Sequence, residues 1–410
     1  MDDFLVIGAG PAGLMAAWQA RRRGTMVRLM ASGIGSTHLM PGWIGVLNTE
    51  GNVAQATSVW SEWYPDHPYA LTGLAALSDG IASLQELGDE FGLPYVGGLE
   101  GNFRLPTALG MLMQAALAPA SFAAGDARRP GAALIAGPAG WRDFYPALCA
   151  DNLTRAGMAA GAAEFAMPEL RTAKHDPTSL TIAELFERSE VRSRVAAEIR
   201  AKLNGAQRVG MPAVLGMDHS HAIWQELQER IGVPVFEIPT LSPSVPGIRL
   251  FRVLRQALAR HGVRVLLDMT ASRGTANADG SVTVNVPTVA REALYGAKTV
   301  ILATGGLYGG GISSDHTGQM REVVFDLPIS VPGPMENWFN LRLFAKGGHP
   351  VHLAGVRTNR YLQPIDAAGR VSMEGVRIAG RLLAGYDPLV EGSTEGVWLA
   401  TSSAVIRTVA

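Results

Sequence analysis

The chain has 410 residues, 35 Lys and Arg against 36 Asp and Glu, and a formal net charge of −1, so no global field draws it to nucleic acid or anionic lipid. Its single cysteine, Cys149, excludes a disulfide framework and an iron–sulfur cluster of its own, which needs several thiolates. No run of 18 apolar residues exists to span a membrane, and Gly8 to Gly13 interrupts the only N-terminal apolar run, so no signal peptide is expected.

Phe4-Leu5-Val6-Ile7 reads as a strand, and Gly8-Ala9-Gly10-Pro11-Ala12-Gly13 follows at once. Leu14 to Arg23 reads as a helix ended by Gly24, and Met26 to Met30 as a second strand. A lone Gly-x-Gly-x-x-Gly is weak evidence, but a strand before it and a helix after it are what a dinucleotide fingerprint requires. Gly8 makes the tight turn, Gly10 lets the backbone approach a phosphate, and Gly13 lets the helix pack on the strand. The helix start offers free N–H groups and a positive dipole end to the anion. In dinucleotide folds a carboxylate at the end of the second strand holds the adenosine ribose. Here the strand ends Leu29-Met30-Ala31-Ser32, and the next acid after Asp3 is Glu50. Either adenosine is held without a carboxylate or there is none. FMN fits the second option, which expects Met30-Ala31 to face solvent or a partner; FAD is the alternative.

Further on, Ser32 to Thr37 is a Gly/Ser-rich loop, and residues 68–125 read as helical, including an Ala-rich tract after Met111. Ala132 to Ile135 reads as a strand and Trp141 to Ala156 as a helix. Ala136-Gly137-Pro138-Ala139-Gly140 repeats Ala9 to Gly13, but Ile135 replaces the first glycine, so a plain connection is favoured. Thr181 to Leu203 reads as one polar helix, followed by strands near Val209 and over Val233–Ile238. Gly247 to His261 is a helix, Val263 to Leu267 a strand and Ser281 to Val286 an alternating strand. Thr299 to Ala303 is an apolar run suited to a strand covered on both faces, and it ends in Thr304-Gly305-Gly306. Its carboxyl end belongs beside the same nucleotide. The layout is α/β: a Rossmann-like flavin-binding domain of residues 1–65 plus 245–410, with an α+β capping domain, 66–244, inserted into it.

The segment Ile238-Pro239-Thr240-Leu241-Ser242-Pro243-Ser244-Val245-Pro246-Gly247-Ile248-Arg249-Leu250 resembles the signature of the B subunit of anaerobic glycerol-3-phosphate dehydrogenase, in the wider family of the fumarate reductase flavoproteins. His67-Pro68-Tyr69, Met211-Pro212-Ala213, Arg321-Glu322 and Gly385-Tyr386-Asp387-Pro388 match in the same order. The resemblance implies an assembly of three subunits that oxidises sn-glycerol 3-phosphate to dihydroxyacetone phosphate. In it the A subunit holds FAD, the B subunit is assigned FMN, and the iron–sulfur C subunit passes electrons to quinone. The chain would be cytoplasmic, held on the inner face of the cell membrane through its partners.

By the resemblance and the turn chemistry together, the cofactor-binding candidates are Gly8, Gly10, Pro11, Ala12, Gly13, Ser36, Thr37, Gly42, Ala303, Thr304, Gly305, Asp387, Pro388 and Ser393. Arg249 is the candidate for a substrate phosphate, since its fork of donors suits one; Arg252 reads as an exposed basic residue. Lys346, His349, His352 and Arg357 line a phosphate pocket or face a partner. His219 and His221 read as a solvated loop rather than metal ligands, and no metal site is expected. Where the family has a glycine stretch before its last helix, Val397 to Thr408 here, this chain has Gly392-Ser393-Thr394-Glu395-Gly396. Glu395 there is either a charge beside the flavin ring or a helix-start residue paired with the dipole. Two other functions fit the same residues: a stand-alone FAD oxidoreductase of the fumarate reductase type, and a structural subunit with weak flavin binding.

Overall fold

The computed structural model describes residues 1–171, 176–289 and 291–408. The first strand, β1 (Asp2–Ile7), has four consecutive buried residues at its end and lies inside a seven-stranded sheet. Helix α1 (Pro11–Arg22) starts on a proline whose fixed φ suits a first helical position, and β2 (Val27–Met30) returns parallel to β1. Helix α2 (Pro68–Glu90) follows. A second sheet then forms from β3 (Ala133–Pro138), β4 (Ala160–Phe165), β5 (Arg208–Pro212) and β6 (Val235–Ile238). Its order is β6-β5-β3-β4, and all its pairs are parallel.

Helix α3 (Val245–Arg260) leads the chain back to the first sheet through β7 (Arg264–Leu266), β8 (Arg273–Ala276), β9 (Val282–Pro287) and β10 (Glu292–Leu302). Strand β11 (Val376–Ile378) and helix α4 (Thr394–Arg407) complete the fold. The first sheet runs β7-β2-β1-β10-β9-β8, with β11 also paired to β10. Strands β7, β2, β1, β10 and β11 are parallel neighbours, whereas β8 and β9 join as antiparallel pairs. The apolar run ending in Leu302 is the inner end of β10, registered against β1 with Ile7 opposite Leu302.

Two large hydrophobic cores and a small third cluster around Trp43 and Phe122 form among the described residues. One joins the first sheet to α1, α2, α3 and α4; the other surrounds the second sheet. Helix α2 falls in the span 66–244 but packs on α4 in the first core. Its Gly80 permits the contact, because a Cβ there would lie 2.5 Å from the Leu399 carbonyl oxygen.

Three local expectations are corrected. The Ala-rich tract after Met111 is not helical: Leu112–Ala115 and Leu117–Pro119 are short strands, paired with Phe103–Pro106 and Tyr95–Gly97. Alanine's helix preference yields there to cross-strand pairing and to the proline. The helix expected from Trp141 starts at Pro146. The expected helix over Thr181–Leu203 is two, Ser179–Phe186 and Ser189–Ala201. The break falls at Arg188, whose backbone is extended (φ −89°, ψ 123°), while Glu187 beside it accepts at Oε1 from the backbone N–H groups of Met217, Asp218 and His219.

Candidate functional site

A cavity of about 370 Å³ opens where β1, β2 and β10 end. Gly8 has φ +117°, and a Cβ on it would lie 2.2 Å from the Ala303 carbonyl oxygen, so the turn admits only glycine. A Cβ on Gly13 would lie 2.0 Å from the Gly8 carbonyl oxygen, which is why α1 starts so close to the strand. Gly10 differs. It is the N-cap of α1, no side chain caps the helix there, and a Cβ would meet nothing within 4 Å. The helix start is therefore open toward the cavity, with unpaired N–H groups for an anion.

Gly8, Gly10, Ser36, Ala303, Thr304 and Gly305 all line this cavity; Pro11, Ala12 and Gly13 form the first turn of α1 behind it. Thr304 Oγ1 is buried and has no hydrogen-bond partner. An unpaired buried hydroxyl costs about 1–3 kcal/mol, which a ligand oxygen would recover. Donors at a helix start, an orphaned hydroxyl and glycines that keep the cradle clear fit a nucleotide phosphate.

The cavity also reaches Ala31, Ser32 and Gly33, and beyond them Met269, Thr270 and Ala271. The end of the second strand is thus a cavity wall and not a face for solvent or a partner. Strand β7 brings this about: Ala31 N donates to the Leu266 carbonyl, and Met269 N donates to the Ala31 carbonyl. Met30 itself is fully buried.

Other candidates lie elsewhere. Thr37 is buried, and Gly247 of α3 packs on its carbonyl. Gly42 has φ +96° and sits against Pro246, while its carbonyl accepts from the Tyr95 hydroxyl. Asp387 precedes Pro388 at a short helix, where its Oδ1 accepts from Leu389 N and Val390 N. Ser393 is fully buried and donates to Glu391 Oε2 at 2.7 Å. That carboxylate also takes His67 Nε2 at 3.0 Å, because His67 Nδ1 already accepts from Tyr69 N. The His67-Pro68-Tyr69 and Gly385-Tyr386-Asp387-Pro388 segments therefore meet in one buried network, and the Tyr69 hydroxyl braces the Val46 carbonyl. Burial pushes the Tyr386 phenol up to about 12, so it stays neutral.

Arg249 is corrected. It is buried, with its Nη1 and Nη2 on Glu237 at 2.8 and 3.0 Å and its Nε and Nη2 on the Gly216 carbonyl. It ties α3 to the second sheet and does not line the cavity. Arg252 pairs with Asp218 at the surface. His219 is the residue before a helix and pairs with Glu187, and His221 lies in that helix. Glu395 stands in the first turn of α4, where its Oε2 accepts from Gly45 N at 3.1 Å. The Gly45 carbonyl in turn accepts from Gly396 N at 2.8 Å, so the start of α4 is covered by the 42–47 loop. Desolvation of the Glu395 carboxyl pushes it up to about 7.

A group that sequence reasoning left unassigned stands at the cavity rim. Tyr308 lines the cavity, and its hydroxyl is 3.1 Å from His352 Nε2. His352 is buried, with Nδ1 3.1 Å from Asp387 Oδ2. The carboxylate can only accept, so Nδ1 carries the proton and Nε2 accepts from the phenol. The one available signal was spacing: Tyr308 follows Gly306 by two residues, on the loop leaving β10.

Comparison with known proteins agrees with this geometry. The sequence matches the FAD binding domain family over residues 3–397. The B subunit of anaerobic glycerol-3-phosphate dehydrogenase from Pectobacterium atrosepticum is 29% identical over 412 residues, covering 98% of this chain and 96% of that protein. The probable B subunit of anaerobic glycerol-3-phosphate dehydrogenase from Halobacterium salinarum is 31% identical over 419 residues, with the same coverage of 98% and 96%. Among solved structures, the open conformation of a flavocytochrome c3 fumarate reductase is similar at 12% identity and a TM-score of 0.43, covering 99% of this chain and 77% of that one. With a match over nearly its whole length, the chain belongs to the FAD binding domain family and, within it, to the family of the B subunit of anaerobic glycerol-3-phosphate dehydrogenase.

Proposed function

We propose that the chain is the flavin-carrying subunit of an anaerobic glycerol-3-phosphate dehydrogenase, acting on sn-glycerol 3-phosphate to form dihydroxyacetone phosphate. The observation that carries this reading is the end-to-end correspondence with the B subunit family, 98% of this chain on 96% of the Pectobacterium protein. FAD, rather than the FMN expected from the missing carboxylate, is favoured by the family match and by a cavity that continues past the phosphate turn to the end of β2.

Gly8 to Gly13 and the start of α1 would hold the cofactor's phosphates, Thr304 Oγ1 would bond an oxygen, and Ala31, Ser32 and Thr270 would flank an adenosine. A flavin bound there supplies an acceptor for the two electrons of an alcohol C–H bond. Tyr308 is placed to take the alcohol proton at its phenol oxygen while its own proton passes to His352 Nε2. Asp387 holds that ring in the required tautomer and offsets the charge it gains.

With one cysteine, the chain has no iron–sulfur route of its own, so electrons would leave through partners: an FAD-containing A subunit, then an iron–sulfur C subunit, on toward quinone. Among the described residues, no helix is long and apolar enough to cross a membrane, so a position on the inner membrane face would depend on those partners. Leu341 and Phe344, 107% and 93% exposed on one loop, are apolar surface that supports a partner contact. The two large cores support the division into a flavin-binding domain and an insertion, with α2 and the stretch through Tyr95 counted on the flavin-binding side by their packing.

Cofactor extraction tests the reading. Stoichiometric FAD in the purified chain is expected; FMN would overturn the dinucleotide assignment. A colourless protein would favour the alternative of a structural subunit, which the covered start of α4 suggests. The isolated chain should not reduce a quinone analogue with glycerol 3-phosphate, whereas the complex of all three subunits should. Rapid quinone reduction by the chain alone would sink the partner assignment.

A further inference from the structure

A second cavity, of about 260 Å³, adjoins the same loop system. Residues 352 and 353 connect the two: His352 bonds Tyr308 of the nucleotide cavity, and Leu353 lines the second. Gly385 also lines it, two residues before the Asp387 that holds His352. The walls include Leu71, Val356 and Leu383, and the polar groups are Asp66, Ser330, Arg357 and Thr358.

Two of these groups lack what burial normally demands. Arg357 is half-buried and makes no side-chain hydrogen bond or ion pair among the described residues. Thr358 is 6% exposed, and its Oγ1 is buried with no partner. A guanidinium offers a planar fork of donors matched to oxyanions, and a buried hydroxyl left unpaired is costly until something bonds it. One oxyanion answers both. With Ser330 beside them, the donors suit the three terminal oxygens of a phosphoryl group. Asp66, exposed at the rim, would repel a second anionic end but accept from a hydroxyl. The apolar walls leave room for a short carbon chain between the two.

We infer that this second cavity is the binding site for a small phosphorylated alcohol, with Arg357 and Thr358 holding the phosphate. The assignment deepens the dehydrogenase reading, on which the identity of the alcohol rests; the anion site itself does not depend on it. The two cavities are linked along the chain, because His352, which bonds Tyr308 of the nucleotide cavity, is followed directly by Leu353 of this one. Arg249, the other arginine that the sequence offered for a phosphate, is committed to Glu237.

The test is calorimetric titration of the flavin-loaded chain with inorganic phosphate, glycerol 3-phosphate and glycerol. Phosphate and glycerol 3-phosphate should bind and glycerol should not. Arg357→Gln should weaken both anions by about tenfold or more, with flavin content and melting temperature unchanged. Thr358→Val should weaken them by a smaller factor, and Arg357→Lys, which keeps the charge and loses the fork, should fall between wild type and Arg357→Gln. Unaltered affinity in Arg357→Gln overturns the site, as does a wild type that binds neither anion. If Arg357→Gln loses phosphate while the wild-type complex of three subunits fails to oxidise glycerol 3-phosphate, the anion site stands and the dehydrogenase reading falls. If the complex oxidises glycerol 3-phosphate and Arg357→Gln binds it as wild type does, the reverse holds.

Discussion

The glycine-bearing turns before α1 and before α4 both run straight into a helix, and their helix starts meet opposite fates. Before α1 the turn folds back on Ala303 and leaves the first N–H groups facing a cavity. Before α4 the Gly45 carbonyl takes Gly396 N, and Glu395 takes Gly45 N, so the helix start is closed by protein. A helix start is an anion site only while nothing else reaches it, whatever its glycines. The difference lies in a loop some 350 residues away, and not in the turn.

The sharpest way to break this comparison is at Gly8 and Gly10. Gly8→Val should unfold the first sheet or lower the melting temperature steeply, because its Cβ collides with backbone and its φ is positive. Gly10→Val should leave the melting temperature near wild type and abolish flavin retention on gel filtration. Equal losses of fold in both would mean that the α1 start is no more open than the α4 start.

Glu395→Gln probes the closed side. The folded carboxyl titrates near 7, above its ordinary 4.5, so its contribution to stability is fully present below about pH 4.5 and lost as pH rises through 7. Between pH 5 and 8 the wild type should lose about 2 kcal/mol that the Gln variant keeps, allowing for partial exposure. Parallel stability curves by chemical denaturation would show that the carboxyl is in contact with water.

The smallest effect sharpens the open side. Ser32→Glu places a carboxylate on the cavity wall at the end of β2 and should tighten FAD by about tenfold through ribose hydroxyls, leaving FMN unchanged. Equal changes for both flavins would remove adenosine from that wall. Met30 is unsuitable for the same experiment because it is fully buried.

Those contrasts track what was legible in the sequence. Gly8, Gly10 and Gly13 act within six residues of one another, and the β-rich run to Leu302 announces a covered strand, so the turn and its neighbouring strand could be read directly. The rest depended on partners distant in sequence. Ala31 became a cavity wall through β7, Tyr308 was joined to Asp387 through His352, and Arg249 was claimed by Glu237. Nor does an alanine tract disclose whether a neighbouring strand will reach it first, as happened at Leu112–Ala115.

The Arg249–Glu237 pair also bears on how the second core is fastened to the first. It lies at the base of α3, where the chain passes from the second core to the first, and Glu237 additionally holds Leu215 N and the Ser121 hydroxyl. Removing either partner would leave the other charge buried and uncompensated, at a cost of about 3–5 kcal/mol. The pair rivets that passage from within, since neither charged side chain reaches solvent.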